Sequence, residues 1–427
     1  MTRTKVLPLP QIINKNITNQ FNSSGPSAVF NVNQAFTDTT GTTSFKRNYA
    51  EKSVDKKVIQ KRKPNLDYLN EGEGPVIYDD STKNWCLQNG LNLSEKLHDF
   101  RDRSIQHIAE NNGPANVYEE LAINGIMFLT NDARHHYRIG QEDFETATLE
   151  VLNNYVTNAV CDNMTGEIKK ISKLSKINGD GAIDQADIWC SNSIVAKNKM
   201  EKKIARVVSS VLRNIQMKKV QRMKEPLFCS QLIEPIVCPF LSESEDVVLK
   251  GSSEESTGSK ARRGKEGRIP DLSLCVEVKG FQHALFLCEV KTISYMNSEN
   301  SSPDPDFIKL INEMKDELDN MGDVKDESRV VYSLLVQGEK CRMFALDFKF
   351  NKLYRLVLLD HFYLPIDKYD IQRLDGCFDA MLYLEVLVNN LADTFTSFYY
   401  DSCPSSPTSP GRLTIKPLKS FSSPHKE

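Results

Sequence analysis

Asp271 and the tripeptide Glu289-Val290-Lys291 combine two carboxylates with one ammonium, the groups that metal-assisted phosphodiester hydrolysis draws on. Carboxylate oxygens are ligands for a hard cation such as Mg2+ or Mn2+. A lysine beside them can orient the attacking water or stabilise charge growing on the phosphoryl oxygens. The tripeptide alone says little. An acid two residues before a lysine recurs at Asp55-Lys57, Glu167-Lys169, Glu201-Lys203, Glu277-Lys279, Glu313-Lys315 and Asp347-Lys349.

Glu289 is set apart by its surroundings. Leu272-Ser273-Leu274-Cys275-Val276-Glu277-Val278 reads as a strand, Gly280 supplies a turn, and Ala284 to Val290 reads as the returning strand. Such a hairpin places Asp271, at one strand's start, opposite Glu289, near the other's end. Alternation puts Lys291 on the Glu289 face and Val290 on the other, with the Val290 carbonyl as a further metal ligand beside Asp271 and Glu289. Glu277 and Lys279 lack a matching aspartate and read as surface residues. A carboxylate that closes the apolar run Ala284 to Cys288 demands compensation by a metal or a lysine. The competing reading is an acid and lysine on a sheet edge, where charge discourages aggregation.

The elements that must hold this hairpin follow from the texture on either side. Residues 271–293 and 329–364 are strand-rich and are separated by a helical pattern over 306–320; an amphipathic helix is predicted over 376–399. Before them, 85–224 is mostly helical, with segments at Leu93 to Ala109, Val117 to Thr130 and Phe144 to Asn158. Asn178-Gly179-Asp180-Gly181 reads as a turn and not as a calcium loop, because Lys176 stands where the first carboxylate ligand belongs. Lys197 to Lys224 predicts a basic helix. Its apolar face is Ile204, Val208, Val211, Leu212 and Ile215, and its charge comes from Lys202, Lys203, Arg206, Arg213, Lys218, Lys219 and Arg222. That charged face either contacts phosphates or is simply solvated.

The chain therefore divides into a disordered arm (1–84), a helical domain ending in a basic helix (85–224), an α/β domain (225–400) and a disordered Ser/Pro-rich tail (401–427). With 54 Lys and Arg against 57 Asp and Glu, net charge implies no polyanion partner, and only local patches argue for one. The 10 cysteines form no CxxC pair, and no signal-peptide core or long apolar span appears. These features argue against a disulfide framework, structural zinc, secretion and a membrane partner, and for a nuclear or cytoplasmic protein. Lys46-Arg47, Lys56-Lys57 and Lys61-Arg62-Lys63 suit a two-part nuclear import signal or a solvated linker. Ser406-Pro407, Ser409-Pro410 and Ser423-Pro424 could accept phosphate.

Arg268-Ile269-Pro270-Asp271 and Leu287-Cys288-Glu289-Val290-Lys291 together resemble the signature of the PD-(D/E)XK nuclease-like superfamily, over residues 225 to 400. Val336-Gln337-Gly338 and His361-Phe362-Tyr363-Leu364-Pro365 are similar to patterns in nuclease-like domains abundant in early-diverging fungi. The resemblance implies an α/β fold: a mixed central sheet flanked by helices, with a restriction-endonuclease-like α-β-β-β-α-β core. It implies Asp271, Glu289 and Lys291 as the functional triplet, Mg2+ or Mn2+ as cofactor, and nucleic acid, DNA before RNA, as partner. Members also draw a carboxylate from the first core helix. Glu225, ahead of Pro226, matches it and Glu234 is the rival, although glutamate at a helix start also complements the dipole. Lys315 resembles an accessory basic position. The segment 242–267 departs from the pattern, being polar and able to supply only a short strand at Val247 to Leu249. Its Arg262, Arg263 and Lys265, with Arg268, form either a grip on phosphates or a flexible insertion. The expected activity is a metal-dependent phosphodiesterase; the alternative is a catalytically inactive nuclease-like fold that binds nucleic acid or protein.

Overall fold

The computed structural model describes residues 83–111, 113–114, 116–157, 164–217, 219–241, 245–263, 266–298, 303–322, 324 and 328–401. The expected arm and tail, with the import signal and the Ser-Pro pairs, lie outside the described residues apart from positions 83, 84 and 401. Among the described residues no helix is long and apolar enough to cross a membrane.

Seven strands form one mixed sheet: β1 (Ile126–Phe128), β2 (Val247–Gly251), β3 (Leu272–Val278), β4 (Phe281–Lys291), β5 (Val330–Gln337), β6 (Lys340–Phe350) and β7 (Leu353–Tyr363). Their order is β1-β7-β6-β5-β4-β3-β2. From β2 to β7 each strand lies beside its sequence neighbour, and β1 alone is displaced, to the far edge. β4 and β5 run parallel, as do β1 and β7, while the other pairs are antiparallel.

The helices that flank the sheet or precede it are α1 (Leu93–Asn111), α2 (Val117–Ile123), α3 (Gln141–Leu152), α4 (Thr165–Ile177), α5 (Gly179–Val195) and α6 (Lys199–Met217). They are followed by α7, α8 (Thr257–Arg263), α9 (Pro303–Asn320) and α10 (Leu374–Asp401). The helix α7 is composite: an α turn Glu225–Phe228, a π turn Cys229–Ile233 and an α turn Glu234–Val237. On α6, Ile204, Val208, Val211, Leu212 and Ile215 are all buried, each burial contributing about 1.5–3 kcal/mol.

The hairpin joining β3 to β4 turns at Lys279 and Gly280, whose φ angles of +51° and +83° are the left-handed pair that a type I′ turn requires. Only glycine adopts the second at no steric cost. The register contains one irregularity, between Leu274 and Cys275, where β4 carries an extra residue: Leu274 faces Phe286 while Cys275 faces Ala284. Its effect shows in where β4 points. Phe281 and His283 stack on Tyr399 of α10, whereas Glu289 meets Lys309 of α9. Strict alternation would have sent these three odd-numbered residues to one face; the bulge re-aims the end of the strand.

Three expectations need correction. Val117 to Thr130 is not one helix: α2 ends at Ile123, Gly125 takes φ +75°, and Ile126-Met127-Phe128 pairs with β7 as a strand. Phe128 is fully buried between the rings of Phe307 and Phe344, a packing that periodicity could not announce in three residues. The sheet thus takes a strand from within 85–224. Asn178 begins a helix instead of a turn, its side chain accepting the Gly181 N–H at 3.1 Å as the cap of α5. The polar segment after Leu241 holds β2 and also α8, which had no periodic signal. Its Gly258 lies so close to α9 that a Cβ there would stand 2.4 Å from the Asp316 carbonyl oxygen.

Candidate active site

Asp271 immediately precedes β3 and extends its ladder: its N–H donates to the Cys288 carbonyl at 3.0 Å, and its Oδ2 accepts the Val290 N–H at 2.6 Å. In a strand, the N–H and C=O of one residue leave on the same side. The Val290 carbonyl is therefore directed toward Asp271, past the point where β3 begins and stops covering β4. Glu289, the residue before Val290, is 2% exposed. Its two oxygens receive the Lys309 ammonium at 3.0 and 2.9 Å, and Lys291 approaches one of them at 3.2 Å.

Lys291 also lies 3.2 Å from Glu225 Oε2 at the start of α7. Pro226 occupies the first turn of that helix, where its missing N–H leaves no bond unmade. Glu234 sits elsewhere, as acceptor of the Cys229 thiol at 3.8 Å, so it is Glu225 that the fold brings to the lysine. Burial, with Asp271 and Glu234 nearby, pushes the Cys229 thiol up to about 12 and keeps it protonated.

Three residues that sequence reasoning passed over complete the cluster. Asp306, Lys309 and Glu313 recur at helical spacing and line one stripe of α9. Their signal was available in the helix itself. Phe307, Ile308, Leu310, Ile311, Met314 and Leu318 are apolar over most of its circumference, so charges among them need partners. Lys315 is not among them: it is fully buried, 2.8 Å from Asp319 and 4.5 Å from the centre of the Tyr354 ring. Of the basic residues before Asp271, Arg263 is exposed, while Arg262 and Arg268 are engaged by α9. Arg262 pairs with Asp316 at 2.6 Å, and Arg268 is buried, donating to the Lys309 carbonyl at 3.1 Å and lying 4.0 Å from Glu313. These two guanidiniums hold α9 and are not free to grip a phosphate backbone.

The carboxylates crowd one another. Burial first, then the charge of Glu289, pushes the Asp271 carboxyl up to about 6. Asp306 is pushed up to about 6 as well, by burial and by Glu289, with Lys291 and Lys309 working against the rise. Burial disfavours the charged Lys291, yet Glu289, Glu225 and Asp306 outweigh it and hold its pKa above the usual lysine range. Glu313 is pushed furthest, to about 8, chiefly by burial, and neither of its oxygens has a hydrogen-bond partner among the described residues.

Glu313 gives a pH-dependent stability. Its folded value near 8 stands above the ordinary 4.5, so the unfolded chain ionises first. The contribution of its proton to folding is intact below 4.5 and is lost as pH rises from there to about 8. Glu313→Gln keeps the uncharged shape at every pH. It should raise the urea midpoint at pH 8 and leave it nearly unchanged at pH 4.5. A gain of equal size at both pH values would refute the assignment.

The donor set suits a hard divalent cation: carboxylates of Asp271 and Glu289, the Val290 carbonyl, and Asp306, whose Oδ2 is buried with no hydrogen-bond partner among the described residues. The raised values of Asp271 and Asp306 come first from burial, with repulsion from Glu289 added, and a bound cation would oppose both by stabilising the ionised carboxylates. Among the described residues no three His, Cys, Asp or Glu side chains close into a ready cage. Here the Lys309 ammonium spans the Glu289 carboxylate. No family model, curated protein or solved structure matches this chain.

Proposed function

We propose that this protein hydrolyses phosphodiester bonds in nucleic acid, DNA foremost, in a reaction dependent on Mg2+ or Mn2+. The reading rests on one observation: the start of β3, the end of β4 and the start of α7 bring Asp271, the Glu289–Lys291 pair and Glu225 to one place from three separate stretches of sequence. The succession α7-β2-α8-β3-β4-α9-β5, with β4 and β5 parallel, supports a restriction-endonuclease-like core around that place, with α8 inserted between its first two strands. Asp271, Glu289 and the Val290 carbonyl would hold the cation. When bound, it neutralises charge on the phosphoryl oxygens and makes water beside it more acidic.

The chain's own residues divide the remaining work. Lys291, kept protonated by three acids, offers a fixed positive charge to the phosphoryl group. Glu225, 41% exposed at the mouth of the site, positions that ammonium from the solvent side. Lys309 holds the Glu289 carboxylate from α9 and sets its orientation.

A second reading, a nuclease-like fold that binds without cutting, is favoured by the same Lys309 contact, since two ammoniums already balance Glu289. The two readings separate in one assay. Purified protein is incubated with single- and double-stranded DNA and RNA in Mg2+, Mn2+ or EDTA, beside Lys291→Ala. Cleavage that needs the cation and is lost in Lys291→Ala supports hydrolysis. Equal cleavage by both proteins, or none with any cation, refutes it.

A further inference from the structure

A cleft of about 690 Å³ opens between α6 and the end of α7, and none of its lining residues belongs to the carboxylate cluster. Lys199, Lys202, Lys203 and Arg206 line one wall, and Pro235 and Pro239 form part of the other. The four basic residues fall at i, i+3, i+4 and i+7 and so make a single stripe about 10 Å long on α6.

The stripe is short of acids to balance it. Glu201 turns away and accepts from the Trp189 indole at 2.5 Å and from the Asn198 amide at 3.0 Å. Lys203 is held by Glu385 at 2.6 Å and lies 5.0 Å from the centre of the Phe240 ring. Lys199, Lys202 and Arg206 have no carboxylate partner among the described residues. Arg213, further along the same helix, is neutralised by Asp187. In a chain of net charge -3, three unbalanced cations facing a cleft amount to a local field for a polyanion.

The spacing selects the polyanion. A nucleic-acid strand carries about one phosphate per 3.4 Å of axis, so a 10 Å stripe faces about three. The cleft also lies on the helix that starts at Glu225, and Pro235 is about 15 Å along α7 from that residue. About five nucleotides of one strand are long enough to span that distance.

We propose that this cleft binds the sugar-phosphate backbone of the nucleic acid to one side of the bond addressed by Asp271 and Glu289. The proposal rests on the nucleic-acid reading of that site. It supplies the phosphate-gripping surface that Arg262 and Arg268, turned toward α9, do not.

The test is binding without cleavage. Affinity for a labelled DNA long enough to span the cleft and Asp271 is measured by fluorescence anisotropy in EDTA over a salt series. Lys199→Ala/Lys202→Ala/Arg206→Ala should bind about tenfold more weakly or worse, with a log-log salt slope shallower by about 2 to 3. The exposed triple Lys169→Ala/Lys170→Ala/Lys173→Ala on α4 removes the same charge and should bind as the wild type does. Equal losses in the two triples, or no loss in the first, overturn the cleft and leave the catalytic reading untouched. Inorganic tripolyphosphate that binds through the three cleft residues and is not displaced by DNA overturns it in favour of a small polyphosphate. Wild type that binds through the cleft but never cuts supports the cleft and sinks catalysis. Wild type that binds no DNA or RNA sinks both.

Discussion

Asp271→Asn should lower Mg2+-dependent cleavage by about 10²- to 10³-fold, the range expected when a preorganised charge is removed from a reacting centre. Asparagine keeps the size of the side chain and a carbonyl oxygen for the Val290 N–H, so the end of β3 stays in place. What disappears is negative charge. Because burial and Glu289 push the cation-free Asp271 carboxyl up to about 6, wild-type activity at limiting Mg2+ should climb as pH rises through that value, and the asparagine variant should lack this limb. The same raised value means that ionised Asp271 opposes folding at neutral pH, where the ordinary value is 3.8. Asp271→Asn should consequently unfold at higher urea than wild type at pH 8, losing activity while gaining stability. Single-turnover rates and urea curves on the same preparations check both halves. A variant that cuts at the wild-type rate, with the same pH profile, removes Asp271 from the mechanism.

Arg355→Ala should destabilise the fold by about 3–5 kcal/mol, as should Asp347→Ala, because each leaves the other charge buried without its bidentate counter-ion. The two residues face each other across β6 and β7 and are 2% and 0% exposed. Arg355 donates to both Asp347 oxygens, at 2.7 and 2.8 Å, and the Tyr155 hydroxyl donates to one of them at 2.9 Å. The guanidinium also lies 4.9 Å from the centre of the Trp85 ring. Trp85 and Tyr155 come from the segment that precedes the α/β region, so this pair fastens that segment to the sheet. Urea unfolding read by tryptophan fluorescence gives the value. The double variant Asp347→Leu/Arg355→Leu should cost less than either single change, since it leaves no orphaned charge. A loss below about 1 kcal/mol for Arg355→Ala would contradict the buried-pair account.

The hairpin was legible because several local signals agreed. Leu272 to Val278 is strand-forming throughout, Gly280 marks the turn, and the run into Glu289 is apolar without a break. The predicted helix over 306–320 is α9, and the one over 376–399 is α10, each a long periodic stripe. Legibility failed where the information is tertiary. Lys309 in the sequence is one more lysine three residues from an acid; only the approach of α9 to the end of β4 gives it Glu289. Arg262 and Arg268 read as unpaired cations because their segment is polar, yet the acids that engage them, Asp316 and Glu313, lie on α9, which follows later in the chain. Three residues of β1 are too few for any period to show.

The extra residue in β4 bears on how this region tolerates insertion and deletion. Alternation is a parity rule, and a bulge is a change of parity made once, in the middle of a strand. One stretch of chain can therefore offer His283 to the closing helix and Glu289 to the charged one, each demand met without reference to the other. Losing the extra residue would leave composition and hydropathy almost untouched and still exchange inside for outside at every position from there to Lys291. The spacing between Asp271 and Glu289 is thus constrained as a phase, odd against even, more tightly than as a length.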